Sequence, residues 1–542
     1  MSKKENNNTL VKNATFLMVA ALISKIIGML YKSPLTTLIG RESFACFQFA
    51  QNAYFILLMI ASFSIPQAVS KIMSERIAFK RYRDAQRVFK GALLYAVIAG
   101  GIAALICIFG ASILVPDNMA NARLALQMLA PTIFVSGILG VFRGYFQAYR
   151  NMLPTSISQI LEQIAVATVA LLASGFMVSH FANAGEDTLQ RWSAAGATMG
   201  TGAGVCTAFL FMLFVYKVNH KTIAKKIKND RVSVDESYRS IMKIILLIAA
   251  PIILSAFIYN VNGYINGVMY TSILGWRGVS NSLVKQNYAE YGFFMTLINI
   301  PLTLASTAPT SMMPEVSAQY AMGDLEETKR KIDQATWIAM LISIPASVGL
   351  AVLAQPVTRL IFPSTEGVAG QLMMIGVITV ILNSTSNISN GVLQAIGKAN
   401  IPMINAAIAL GVDVVFLALM LVFTNMGIYA VVLAMVVYAL VMCVLNDRAL
   451  KKYLGYKNPW KSAYFVPILA SIPMGIVAVI VYKLVHAVIG SNFISLIPAI
   501  AFAMVVYFVG YLVVAKPKKE DLASLPGGTR LAQVAQKLKI LK

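Results

Sequence analysis

Five charged residues stand inside or at the edge of long apolar runs, and they are the places where this chain could do chemistry. Lys25 lies in Ala20-Ala-Leu-Ile-Ser-Lys-Ile-Ile-Gly-Met-Leu-Tyr-Lys32, and Lys32 follows two helical turns later on the same face. Arg143 and Glu162 lie in the stretch 143–163, Arg-Gly-Tyr-Phe-Gln-Ala-Tyr-Arg-Asn-Met-Leu-Pro-Thr-Ser-Ile-Ser-Gln-Ile-Leu-Glu-Gln. Asp413 lies in Leu410-Gly-Val-Asp-Val. A charge at that depth costs a few kcal/mol and marks a functional site by default. A lysine there is a compact point charge suited to an anionic group, and a carboxylate there can take up H+ or Na+. Amides complete the polar inventory, with Asn260, Asn262 and Asn266 in Tyr259-Asn-Val-Asn-Gly-Tyr-Ile-Asn and Asn383, Asn387 and Asn390 further on. The candidate substrate-binding set is therefore Lys25, Lys32, Arg143, Glu162, Asn260, Asn262 and Asn266, and the candidate ion-coupling pair is Glu162 and Asp413.

Each of these has a structural alternative. Lys25 is too far from either end of its run to snorkel with ease, which favours a cation facing a cavity. Glu162 can serve transport or pair with Arg143 or Lys25, and Asp413 can couple an ion or hold structure. The asparagines are read as glue between helices, and Arg143, Arg150 and Lys398, near turns, as determinants of topology.

The elements that must position these residues are membrane helices. The chain has 542 residues, of which 58% are hydrophobic and only 12% charged, with a mean hydropathy of +0.72. That is too little charge to cover a soluble surface of this size. The net charge of +23 does not point to nucleic acid, because the basic residues sit in short loops between apolar runs. Neither a nucleotide-binding loop nor a dinucleotide fingerprint nor a nucleophile elbow occurs. Cys46, Cys107, Cys206 and Cys443 are scattered, as are His180, His220 and His486, so no disulfide, metal site or catalytic residue is expected. The chain reads as a carrier rather than an enzyme, without a cofactor, and driven by the membrane potential or by H+ or Na+.

Apolar runs long enough to span fall at 10–32, 44–65, 88–113, 122–147, 154–179, 192–216, 240–272, 288–312, 334–356, 368–395, 402–424, 427–446, 462–486 and 492–515. This predicts an all-α protein of about fourteen transmembrane helices. With the N-terminus cytoplasmic, 35 of the 45 Lys and Arg fall inside and 7 outside, which places both termini in the cytoplasm. Two motif pairs recur at one spacing. Pro154 and Pro402 are 248 residues apart, as are Pro66 and Pro314, and Gly144, Gln147 and Ala148 answer to Gly391, Gln394 and Ala395. The chain is thus read as a duplication of two parallel six-helix lobes plus two C-terminal helices. The lobes are 1–216 and 240–448, joined by a basic cytoplasmic linker at 217–239 that is read as solvated or held by lipid headgroups. The extra helices occupy 449–515, and a basic tail follows at 516–542.

These features resemble the multidrug/oligosaccharidyl-lipid/polysaccharide exporter superfamily. The pattern of 143–163, the opening Ser24-Lys-Ile-Ile-Gly-Met-Leu-Tyr-Lys-Ser-Pro-Leu and the basic turn Lys80-Arg-Tyr-Arg-Asp-Ala are similar to its polysaccharide-transporter branch, which holds stage V sporulation protein B and the lipid II flippases. The resemblance implies two lobes around a cavity, alternating access, and movement of a polyprenyl-pyrophosphate-linked saccharide, peptidoglycan lipid II foremost, across a plasma membrane. It implies that Lys25 stands where those flippases hold the pyrophosphate, and that the last two helices make a groove for the lipid tail. Membrane lipids and cell-wall synthesis enzymes are the expected partners, and nucleic acid is not. The spans 44–65 and 288–312 hold no Lys or Arg, where lipid II flippases carry cavity arginines, so another lipid-linked saccharide stands beside lipid II. A cation-coupled multidrug antiporter of the same superfamily is the alternative.

Overall fold

The computed structural model describes residues 19–59, 61 and 65–515, and among these there are helices and turns but no strand. The expected start of the first span at 10–18 and the tail 516–542 lie outside the described residues. The chain divides into two compact units, Met1–Ala289 and Glu290–Lys542. The first holds α1 (19–30), α2 (Lys32–Ile39), α3 (Arg41–Leu58), α4 (Ile65–Ala78), α5 (Tyr82–Phe109), α6 (Ala111–Leu114), α7 (Ala122–Met128), α8 (Ala130–Ala148), α9 (Leu153–His180), α10 (Glu186–Lys228) and α11 (Tyr238–Trp276). The helix α12 (Asn281–Ala321) begins in the first unit and continues into the second. There follow α13 (Leu325–Val352), α14 (Ala354–Ile361), α15 (Val368–Gly376), α16 (Ile378–Ala395), α17 (Asn400–Phe423), α18 (Ile428–Leu454), α19 (Val466–Ile489) and α20 (Asn492–Ala515).

Among the described residues nine helices are long and apolar enough to cross a membrane, or ten if α15 and α16, bent by 45°, make one span. The chain is a multi-pass membrane protein; the count of fourteen and the cytoplasmic termini stay expectations of the sequence. Large apolar side chains such as Phe109, Leu172, Phe176, Phe214, Ile480 and Leu484 lie exposed on these helices. In water such a surface would be a liability, and in a bilayer it is the solvated face.

Each unit has its own core, and the two cores use corresponding helices. In the first, α4, α5, α8 and α10 meet around Phe89, Phe142, Tyr145 and Phe146. The Phe89 ring stands edge-on to Phe142 at 5.4 Å and to Tyr145 at 4.8 Å. In the second, α12, α13, α16 and α18 meet around Ile332, Met340, Ile344, Val392 and Leu450. The two repeated motifs touch each other within each unit. A Cβ on Gly144 would lie 2.7 Å from the Pro66 carbonyl oxygen, and one on Gly391 would lie 2.9 Å from Met313 Sδ, beside Pro314. Glycine in one motif lets α8 close on α4, and α16 on α12, at the proline of the other.

The turns repeat as well. Two residues beyond Ala78, Lys80 has φ 59°, and two beyond Ala148, Arg150 has φ 59°; at the same places beyond Ala321 and Ala395, Gly323 has φ 79° and Gly397 has φ 78°. All four turns close with the same paired backbone bonds. For Lys80 they are Lys80 N–H to Ile77 O at 3.0 Å and Arg81 N–H to Arg76 O at 2.9 Å; for Gly323 they are Gly323 N–H to Tyr320 O at 3.0 Å and Asp324 N–H to Gln319 O at 3.1 Å. The left-handed residue suits glycine, yet the first unit places cations there.

The segment after α10 is not a free linker. The helix α10 runs on to Lys228, and residues 229–237 lie strapped across the start of α5. Asp230 accepts from Arg83 N–H at 2.7 Å, Val232 N–H at 2.8 Å, Ser233 N–H at 3.0 Å and Ser233 Oγ at 2.6 Å. The buried Asp84 accepts from Val234 N–H and Glu236 N–H, both at 3.0 Å. Glu236 pairs with Arg76 at 3.1 Å and Arg81 at 2.7 Å. Burial pushes the Asp230 carboxyl up, but the bonds from Ser233 Oγ and the three N–H groups outweigh it and hold the carboxyl well below the usual range. The second unit has a plainer version, in which Tyr456, just past α18, donates to Asp333 of α13 at 2.8 Å. The extra helices α19 and α20 pack on each other and on α13, with Trp337 Nε1 donating to Tyr511 Oη at 2.5 Å.

Two outcomes are expected. Lys80→Gly and Arg150→Gly will each raise stability by about 1 kcal/mol, because the left-handed conformation costs a side chain about that much, and Gly323→Lys will lower it; thermal unfolding in detergent reads both. Asp230→Asn will release the strap, seen as faster hydrogen exchange at Val232, Ser233 and Val234. Because the folded pKa is depressed, the strap is fully held above the ordinary carboxylate range, about pH 4, and its protection falls as acid takes the pH below that.

Candidate substrate site

The helices α8 and α9 carry the two most specific residues of the 143–163 pattern, and the fold brings them into contact. Arg143 Nη2 pairs with Glu162 Oε2 at 2.6 Å, with side-chain exposures of 16% and 20%. Arg143 Nε also donates to Ser158 Oγ at 3.1 Å, and Ser158 Oγ donates to the Thr155 carbonyl at 2.7 Å. The pair is possible because Pro154 opens α9 after a tight turn, so that α8 returns along α9 and residue 143 meets residue 162. Glu162 is thus a partner of Arg143, one of the two roles open to it in the sequence, and Arg143 does more than mark topology.

A second close approach meets the backbone of Glu162. A Cβ on Gly204 of α10 would lie 2.7 Å from the Glu162 carbonyl oxygen, and one on Gly200 would lie 2.5 Å from Ala170 Cβ. Gly196, Gly200 and Gly204 form a small-residue stripe that lets α10 close on α9. The stripe was legible in the sequence as glycine at every fourth position and went unread.

The first helix approaches the same place. A Cβ on Gly28 would lie 3.1 Å from Gln163 Oε1, the residue after Glu162. Lys25 precedes Gly28 by three residues and Lys32 follows it by four, so all three share one face. Lys25 is exposed on the unit and Lys32 half-buried, and α2 packs on α9. The face that carries Lys25, Gly28 and Lys32 is thus turned toward α9, whose Glu162 pairs with Arg143.

The remaining candidates lie elsewhere. The helix α11 packs on α3, α4 and α5. Asn260 Nδ2 bonds back to its own helix at Ala256 O, 2.8 Å away, while Asn262 and Asn266 are buried, with Asn266 Nδ2 3.4 Å from Asn262 Oδ1. Asp413 is fully buried in α17 of the second unit. There Asn405 Nδ2 donates to Asn446 Oδ1 and Asn446 Nδ2 to Asn390 Oδ1, both at 2.8 Å, an amide ladder joining α16, α17 and α18. Lys398 lies over the Tyr453 ring at 5.3 Å.

Sequence reasoning missed one polar group. Lys285, which the sequence places between the apolar runs 240–272 and 288–312, is 7% exposed at the start of α12 and donates to Gln190 Oε1 at 2.7 Å. Gln190 Nε2 donates to Glu42 Oε2 at 2.8 Å, and Ser282 and Gln286 also donate to Glu42. This network ties α3, α10 and the first turns of α12 together. Its members are single polar residues beside span ends, which nothing in their spacing distinguishes from loop residues.

The family model described as polysaccharide biosynthesis protein matches residues 10–319, more than half the chain. The chain belongs to that family. A second model, MatE, matches residues 279–419. Stage V sporulation protein B of Bacillus subtilis (strain 168) is 23% identical over 529 residues, covering 96% of this chain and 98% of that one. The lipid II flippase MurJ of the same organism is 23% identical over 427 residues, covering 76% and 77%. Among solved structures, an inward-facing multidrug resistance MATE transporter of the MOP superfamily superposes with a TM-score of 0.62 at 16% identity, covering 80% of this chain and 94% of that one. The lipid II flippase MurJ in an inward closed conformation superposes with a TM-score of 0.60 at 13% identity, covering 91% and 97%. The expected membership of the multidrug/oligosaccharidyl-lipid/polysaccharide exporter superfamily is shown by these matches, as is a place in the plasma membrane.

The Arg143–Glu162 contact makes one prediction. Arg143→Met leaves a part-buried carboxylate without its partner and will cost about 3 kcal/mol of stability. The double variant Arg143→Met/Glu162→Met will recover most of that, as read by thermal unfolding in detergent.

Proposed function

We propose that this protein is a flippase that carries a polyprenyl-pyrophosphate-linked cell-wall saccharide, lipid II first among them, from the inner to the outer leaflet. The observation that carries the reading is the approach of the Lys25–Gly28–Lys32 face to α9, where Arg143 pairs with Glu162, which makes a cationic wall in a chain of the polysaccharide biosynthesis family matched along 96% of its length by stage V sporulation protein B. A diphosphate entering a low-dielectric site must find cations, and each attraction is several times stronger there than in water. Lys25 and Lys32 supply point charges on one helix face. Arg143 offers a planar fork suited to a phosphate, but without substrate that fork is held by Glu162.

The pair supplies a coupling element in this reading. The pyrophosphate competes with Glu162 for Arg143, and a Glu162 neutralised by H+ or Na+ yields the guanidinium more readily. Asp413 stands apart from this pair in the second unit.

The MatE match over residues 279–419 supports a second reading, a cation-coupled multidrug antiporter. The two are separated by complementation. A cell depleted of its lipid II flippase will be rescued by the wild-type chain and not by well-expressed Lys25→Ala. Failure of well-expressed wild type, together with ethidium efflux in the same cells, would replace the flippase by a drug exporter. Rescue by both would remove Lys25 as the anchor.

A further inference from the structure

Outside that wall, one groove combines charge and apolar surface in a way the transport reading does not use. It lies between α5 and α11 in the first unit, has a volume of about 630 Å³, and is lined by Gly91, Leu94, Tyr238, Arg239, Met242, Lys243, Leu246 and Leu247. The helices come close because Gly91 has no side chain; a Cβ there would lie 3.1 Å from Ile241 Cγ2. Arg239 and Lys243 are one helical turn apart, on one face, and both are exposed. Leu94, Leu246 and Leu247 are also exposed, at 52%, 46% and 65%, and continue the groove along the helices away from the charges.

The nearby carboxylates are already committed. Glu236 is held by Arg76 and Arg81, Asp235 lies 3.1 Å from Arg87, Asp84 pairs with Arg81 at 2.7 Å, and Asp230 is surrounded by its N–H and hydroxyl donors. Among the described residues no carboxylate pairs with Arg239 or Lys243. The strap places these cations: Arg87 donates to the Glu236 carbonyl at 3.0 Å, and Ser237 Oγ caps α11 through Ser240 N–H at 3.2 Å.

We propose that this groove holds one anionic phospholipid, with its phosphate between Arg239 and Lys243 and an acyl chain along Leu94, Met242, Leu246 and Leu247. The charge complementarity selects the occupant. A protein partner has no need of two unpaired cations at the rim of an apolar slot, and a zwitterionic lipid carries a cation of its own that they would repel. The bound lipid bridges α5 and α11 beside the strap, so it staples together the elements the strap already joins.

The test is native mass spectrometry of the full chain in detergent with phosphatidylglycerol or phosphatidylcholine added. One phosphatidylglycerol is expected to stay bound, with a preference over phosphatidylcholine of at least about tenfold, the effect of two cations at a lipid phosphate. Arg239→Gln/Lys243→Gln will abolish the preference, and Arg239→Lys/Lys243→Arg, which keeps both charges, will retain it. Leu94→Trp, which fills the slot, will weaken retention while leaving the cations in place. Equal retention of the two lipids, an unchanged preference in the glutamine variant, or displacement of the lipid by soluble glycerol phosphate would each overturn the proposal. A stoichiometry showing a second copy of the chain on this face would overturn it as well.

Discussion

A carboxylate within a membrane helix must find a counter-charge, and the first unit is arranged around the place where Glu162 finds one. The contact with Arg143 requires α8 and α9 to run back along each other, which the turn at 149–152 and Pro154 allow. It requires α9 to be held at a fixed depth, which the glycine stripe of α10 provides by closing on the backbone of Glu162 itself. It also leaves room on the other side for α1, whose Gly28 reaches Gln163. Two of these approaches, those of α10 and α1, depend on a missing side chain, and both meet α9 at Glu162 and Gln163. Hydrocarbon makes that pair hard to break and helix association hard to drive in any other way, so small residues and the ion pair do together what apolar burial does in water.

The same economy explains what the two units share and where they differ. The Pro66 and Gly144 motifs, and their counterparts at Pro314 and Gly391, recur because they are the two sides of one contact. Their spacing is set by the fold of each unit. The tight turns recur in their backbone bonds while their residues differ. Glycine takes the left-handed position in the second unit, and Lys80 and Arg150 take it in the first at a cost in stability. The first unit thus keeps positive charge where its own backbone would be better served without it, at turns next to the strap and within the 143–163 pattern.

Much of this was legible in the sequence. The helical class, the membrane setting and the superfamily followed from composition, spacing and the 143–163 pattern, because long apolar runs and a charge within them leave few alternatives. The meeting of Arg143 and Glu162 was one of two partners read for that carboxylate. Other features depended on three-dimensional neighbours. The strap looked like a solvated linker because Asp84 and Asp230, which hold it, bond mostly to backbone N–H, and backbone donors have no sequence signature. The burial of Lys285 was not legible because a buried lysine and an exposed one are the same letter; the amide that receives it, Gln190, is far off in the chain. The asparagines of α11 share a helix and a spacing with nothing charged, and the fold places them in a different packing environment from the α8–α9 wall.

The central claim is that Lys25, Lys32 and Arg143 together hold a pyrophosphate. The most direct measurement is the affinity of the purified protein for undecaprenyl-pyrophosphate-linked saccharide, compared with the monophosphate lipid, in wild type and in Lys25→Ala/Lys32→Ala. The account predicts that wild type prefers the pyrophosphate and that the variant loses the preference while still binding the lipid tail. Equal affinity of wild type and variant, or no preference for the pyrophosphate in wild type, would contradict it.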